Sequence, residues 1–193
     1  MDKKLNDVML DLETAGQGSK AAIIAIGAVL FDPMTGETGA EFYQAINLNS
    51  SAHYGDIDAS TIRWWMKQSK EAQAVFNEDN LLPLKTALES FDAWLRDNTN
   101  RDPKYGNSTA NIWGNGVDFD NVILSNAYKA IGMKQPWAFF NQSDVRTLVE
   151  LGKKLRNIDP KNTLVRAGIA HNALDDAYFQ VKYVHAIHAA LAN

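Results

Sequence analysis

The chain has 193 residues, 46% hydrophobic and 22% charged. That make-up fits an ordinary globular domain and excludes a disordered chain, a collagen-like repeat and a simple coiled coil. A chain this long buries roughly 70% of the surface its unfolded form exposes, so its core needs no disulfide or structural metal. Cysteine is absent, which removes thiol nucleophiles and thiolate metal sites and fits a reducing cytoplasm. Nineteen basic residues against twenty-three acidic ones give a formal charge of −4. This argues against gripping long duplex by charge alone, but leaves room for a partner held locally through bound cations.

The first ten residues, MDKKLNDVML, carry no long apolar run behind their lysines, and no signal peptide is expected. Residues 8–12 form a short apolar run ending in acids, read as a strand. The longest apolar stretch, AAIIAIGAVLF at 21–31, is too short for a bilayer and reads as a buried strand with Gly27 inside it. No membrane partner is expected. Asp32, Pro33, Thr35 and Gly36 mark a turn, and 41–48 reads as a third strand pairing back as a meander. The period then changes. STIRWWMKQS at 60–69 predicts a short helix. Leu84, Leu88, Phe91 and Leu95 recur at helical spacing and predict a second one over 82–96. A polar loop covers 97–108, a short strand 110–113, and Gly114-Asn115-Gly116 breaks it. Helices follow at 119–130, 145–155 and 172–191, with room for a fifth strand. Strands first, then alternation with helices, predict an α/β fold: a mixed sheet with helices on both sides.

Three stretches could carry chemistry. Asp11 and Glu13 are two apart on a strand, so their carboxylates share a face. Unpaired, they would repel and one pKa would rise, a penalty that a divalent cation removes. Oxygen ligands suit Mg²⁺ or Mn²⁺ rather than Zn²⁺. Two solvated acids at a strand exit would look the same. In WGNGVDFDNVIL (113–124) a strand runs through a glycine turn into a helix, with Asp118 and Asp120 near its start. Either could be a cap, but sites in α/β sheets gather where strands end and helices begin. In HNALDDAYF (171–179), His171 precedes the last helix and Asp176 lies over a turn inside it, with Asp175 as the rival acid. A histidine still in the loop could swing over a site into which Asp176 points.

The set is more specific than its parts. With Asp-x-Glu-Thr at 11–14, Phe-Asp at 119–120 and His-x4-Asp at 171–176, the sequence resembles the DnaQ-like (DEDDh) 3′–5′ exonuclease superfamily. It looks nearest the phage DexA and exonuclease VIII-related branch, with a polyadenylate-specific RNase close by. DLETAGQGSKAAIIAIGAVLFDP, STIRWWMKQS, GNGVDFDNVIL and DVRTL carry that likeness across about the whole chain. The resemblance selects Asp120 over Asp118, because in Phe-Asp-x-x-Ile-Leu residues Ile123 and Leu124 then fall where the family has its apolar pair.

The resemblance implies a ribonuclease H-like mixed five-stranded sheet flanked by helices, as one exonuclease domain over 1–193. It implies hydrolysis of terminal phosphodiesters of single-stranded nucleic acid, DNA favoured over RNA tails or short oligoribonucleotides, releasing nucleoside 5′-monophosphates. Two divalent ions would lie roughly 3.5–4 Å apart around the phosphate. Asp11 would bridge them, Glu13 and Asp176 would complete the shell of the first ion, and Asp120 would hold the second, partly through water. His171 would be the general base. Thr14 and Ala15 would meet the terminal sugar. Trp65 rather than Trp64 would stack under the base, although core packing suits both rings. Arg146 would reach a phosphate or pair with Asp144. The rival from another class is an inactive nucleic-acid-binding module of the same fold, but every ligand position is filled. A haloacid-type phosphatase is discounted, because the second acid is Glu and no later lysine motif follows.

Overall fold

Val8, Leu10 and Leu12 alternate with Met9, Asp11 and Glu13, and an extended backbone sends the two sets to opposite faces. This alternation sets up the whole layering. In the computed structural model, which describes residues 5–192, strand β1 (Asp7–Thr14) is the centre of a five-stranded sheet of order β3-β2-β1-β4-β5. Strands β2 (Ile23–Phe31) and β3 (Thr38–Ala45) continue from it as an antiparallel meander, while β4 (Asn111–Gly114) and β5 (Gln142–Asp144) run parallel to it. Every residue of β2 is buried, as a strand covered on both faces requires.

One face packs Val8, Leu10, Leu12, Ile26 and Leu30 against α4 (Leu84–Asn98) and α5 (Asp120–Ala130). The other packs Met9, Val29 and Phe31 against α6 (Val145–Arg156) and α8 (Ala173–Ala192). Three single-turn or near single-turn helices, α1 (Leu48–Ala52), α3 (Lys70–Gln73) and α7 (Pro160–Thr163), join α2 (Ala59–Trp65) in the connections. None of the described helices is long and apolar enough to cross a membrane.

The mixed sheet flanked by helices is as the sequence predicts, but several boundaries move. The 21–31 strand starts at Ile23, because Ala21 makes only an isolated bridge to Asp56. The third strand ends at Ala45, and Leu48 opens α1, whose Asn47 side chain accepts from the Ser50 N–H at 3.1 Å. The helix expected at 82 starts at Leu84: Pro83 takes the N-cap position, and a residue before proline is pushed out of helical backbone. The fifth strand is three polar residues at the sheet edge, too short for a hydrophobic period to reveal.

Candidate active site

The C-terminal end of β1, the end of β4 and the starts of α5 and α8 meet at one edge of the core. Two close approaches create this junction. A Cβ on Gly27 would stand 2.2 Å from the Ala173 carbonyl carbon, so a side chain there would hold α8 off the sheet. Gly27 pairs with Asp11 in the ladder, which puts the first turn of α8 directly beside that acid. A Cβ on Gly114 would meet the Asn121 side chain at 2.1 Å, and its absence lets α5 begin against the strand end.

Asp120 is 2% exposed and both its oxygens are held: Oδ1 accepts from the Leu12 N–H at 3.1 Å and Oδ2 from the Asn115 N–H at 3.0 Å. Burial nevertheless pushes its carboxyl up to about 7, against the opposing effect of those hydrogen bonds. Burial, then the charges of Asp120, Glu13 and Asp176, hold Asp11 well above the usual carboxylate range. Glu13 is pushed up to about 8, by burial first and then by Asp176 and Asp120. Four carboxylates from three segments thus crowd one another, as like charges in a common site do.

His171 adopts left-handed backbone, φ 65°, and its N–H donates to Asp176 Oδ2 at 3.3 Å. Asn172 caps the helix after it, its Oδ1 accepting from Leu174 and Asp175. The His171 ring stands edge-on to Trp64, with centroids 4.7 Å apart. Donor atoms of Glu13, His171 and Asp176 lie within 4.8 Å of one another. Glu13 Oε1 is buried with no hydrogen-bond partner. An orphaned carboxylate oxygen among acids that repel one another fits a hard divalent cation, which takes oxygen donors.

Asp175 turns away, because helix neighbours diverge by about 100°. It accepts from the Ile169 N–H at 2.7 Å. Asp118 is also outside the cluster, exposed and 3.8 Å from Arg146. That contact is neither of the partners expected for Arg146. Asp144 instead caps α6, accepting from the Thr147 N–H at 2.9 Å, and also accepts from Val117 at 3.2 Å. Partial burial raises the Asp144 pKa, but those hydrogen bonds outweigh it and hold the group below the usual range.

A cleft of about 250 Å³ beside Glu13 is lined by Thr14, Gly16, Gln17, Trp64 and Phe119 among others. Thr14 stays on its wall, with its hydroxyl donating to Gly16 O at 2.7 Å. Two expectations need correction. Ala15 is fully buried, its N–H donates to Ala22 O and its carbonyl accepts from Asp58 N, so no main-chain group of it is open to a sugar. Trp65 is only 2% exposed and its indole N–H donates to Thr14 O at 2.9 Å, bracing β1. Trp64, 40% exposed, offers the accessible ring.

Two neighbours of the cluster escaped the sequence. Gln180, buried on α8, donates from Nε2 to Asp11 Oδ1 at 2.6 Å. It lies four residues after Asp176, on the same helical stripe, and that spacing could have found it. Arg166 pairs with Asp176 and lies 4.6 Å over the Phe179 ring. It sits in an irregular loop, where spacing carries no signal.

Sequence comparison shows a 3′–5′ exonuclease, and the fold is that of the DEDDh type. Residues 6–188 match the 3′–5′ exoribonuclease Rv2179c-like domain, and the chain belongs to that family. An exodeoxyribonuclease of Enterobacteria phage T4 is 28% identical, over 88% of this chain and 83% of its own length. The 3′–5′ exonuclease Snipper of Drosophila melanogaster is 31% identical over 82% of this chain, which spans 58% of that protein. The nuclease domain of 3′hExo, a DEDDh family member bound to rAMP, superposes over 96% of this chain and 92% of its own, with TM-score 0.61 and 15% identity. E. coli exonuclease I in complex with a dT13 oligonucleotide gives TM-score 0.69 at 13% identity, over 98% of this chain and 42% of that one. Divalent metal use is what this family implies, and the donor set suits it.

Proposed function

We propose that the chain, as a single exonuclease domain over 1–193, removes nucleoside 5′-monophosphates one at a time from the 3′ end of single-stranded nucleic acid, with DNA preferred. Asp11, Glu13, Asp120 and Asp176 would hold two divalent ions, Mg²⁺ or Mn²⁺. When bound, such ions supply the positive charge that activates a water and stabilises the leaving 3′ oxygen. They would also reverse the sign that four acids present to a polyanion.

The protein's own groups would do the rest. An imidazole nitrogen of His171 accepts the proton of the attacking water. The edge-on contact with Trp64 steadies that ring. Asp120, fixed by N–H groups at the ends of β1 and β4, would be held in place to take a divalent ion. The exposed face of Trp64 stacks under the terminal base, and Thr14 lines the wall beside the sugar. Arg146, half exposed near the start of α5, is free to trade Asp118 for a phosphate.

The observation that carries this reading is the convergence of Glu13, His171 and Asp176 donors within 4.8 Å, from positions more than 150 residues apart in the chain. The likeness to the phage exodeoxyribonuclease over 83% of that protein supports DNA. RNA is the second reading, favoured by the exoribonuclease description of the family. End-labelled single-stranded DNA and RNA, with free or blocked 3′ ends, would be incubated with Mg²⁺, Mn²⁺ or EDTA. Stepwise loss from free 3′ ends in metal alone, faster for DNA, is expected. Degradation that persists in EDTA defeats the metal mechanism, and cleavage of a 3′-blocked strand defeats the terminal attack.

A further inference from the structure

Three aromatic rings stand in solvent at the end of β4 remote from the acids. Tyr105 is 64% exposed, Phe139 76% and Phe140 73%. They line one groove of about 470 Å³ between the 102–109 turn and the 134–141 segment. Ser108, which bridges to Trp137 in that groove, lies six residues before Gly114. At about 3.3 Å per strand residue this places the groove roughly 20 Å from the acid cluster. Exposed rings in such a cluster mark a binding surface.

The charges around them select the occupant. Lys104 and Lys134 are exposed on the two segments, and Arg101, also exposed, immediately precedes the first. Asp102 is their one acid, and its carboxylate is engaged in closing its own turn, accepting from the N–H groups of Lys104 and Tyr105, both at 2.8 Å. In a chain of net charge −4 this is a locally cationic patch. Lys104 lies 4.8 Å over one face of the Tyr105 ring, and Phe139 and Phe140 meet edge to face at 5.2 Å rather than stacking on each other. A protein interface core is depleted in lysine. Rings interleaved with cations are instead what a single strand needs, with bases stacking and phosphates neutralised.

We propose that this groove is a second contact site for the single-stranded substrate, gripping the strand well upstream of the 3′ end held in the cleft. It rests on the single-strand reading above. It predicts that affinity grows with strand length once the strand can span the roughly 20 Å between the two sites.

Fluorescence anisotropy with Ca²⁺ in place of Mg²⁺ or Mn²⁺ would measure binding of a 5′-labelled 20-nucleotide and a 4-nucleotide DNA to the wild type, F139S/F140S and K104E/K134E. All four positions are exposed, so folding should survive, as melting curves would check. Both variants should bind the 20-mer roughly tenfold more weakly. Turnover of the 4-mer in Mn²⁺ should be unchanged, which separates loss of the groove from loss of the catalytic centre. Equal 20-mer affinity in wild type and both variants overturns the proposal and leaves the patch to a protein partner. A wild type that degrades the 4-mer but binds the 20-mer no better than the 4-mer overturns it too, while leaving the catalytic reading intact. No turnover of either strand would instead count against the catalytic reading.

Discussion

Gly27→Ala adds one methyl group on the strand beside Asp11, on a residue with no chemical role of its own, and it should nearly silence the enzyme. The new carbon would sit 2.2 Å from Ala173 C and 2.3 Å from Leu174 N, whereas ordinary contact begins near 3.4 Å. The atoms it meets are main chain, so no rotamer relieves the clash, and α8 must lift by about 1.2 Å. That helix carries Asp176 and Gln180, and His171 sits at its mouth. A misplacement of about 1 Å in a reacting constellation lowers turnover roughly 10²-fold. Overpacking a filled core costs about 1–3 kcal/mol, which for a chain of this size lowers Tm by roughly 3–10 °C. Single-turnover degradation of a labelled strand in Mn²⁺, with calorimetric melting alongside, would read both quantities. A folded Gly27→Ala protein with wild-type turnover would show that α8 need not touch the sheet for the site to work.

Removing metal should make stability depend on pH in an unusual direction. Glu13 and Asp120 hold their protons up to about 8 and 7 in the metal-free fold, but lose them near 4 when the chain unfolds. Between those limits the folded state binds more protons, so stability falls as pH rises. Tm in EDTA should drop between pH 5 and 8, and Mn²⁺ should offset the drop; a flat profile in EDTA would mean the acids do not crowd. His171→Ala should lower kcat roughly 10²–10⁴-fold with Mn²⁺ affinity nearly kept, and near-full activity would remove this residue from proton transfer. Trp64→Ala should raise KM for a short oligonucleotide about tenfold, whereas unchanged KM would discard stacking. Gln180→Leu keeps the volume but deletes the donor to Asp11 Oδ1; kcat should fall at least tenfold and Gln180→Glu should not rescue it, because a second anion would face Asp11. Full activity in Gln180→Leu would show that Asp11 orients itself.

Of the proposed acids, local geometry alone singled out one pair; Asp120 over Asp118 and Asp176 over Asp175 came from the motif spacing of the family that the sequence resembles. Asp11 and Glu13 share a face by the period of a strand, and Asp120 opens a helix after a glycine break. The layering was legible too, since alternating burial in β1 and an apolar stripe in α4 are local properties. The choice between Trp64 and Trp65 was not legible. Adjacent helical residues diverge, but only the position of Thr14, fifty-one residues away, decides which indole is braced and which is open. Arg146 comes within ion-pair distance of Asp118, while Asp144, held by the Val117 N–H and the α6 cap, feels the Arg146 charge without such a contact; these neighbours too were not legible.

What the residue order determined by itself is therefore the candidate groups, the acids and the imidazole proposed for the site, and the element each rides on. Tertiary structure decided their neighbours: the Gly27 contact that seats α8, the orphaned oxygen of Glu13, the amide of Gln180 on Asp11, and the aromatic groove at the far end of β4. Periodicity follows from backbone geometry and is written along the chain. Contact between distant segments depends on how close two elements can pack, and that is settled only when both have folded against the same sheet.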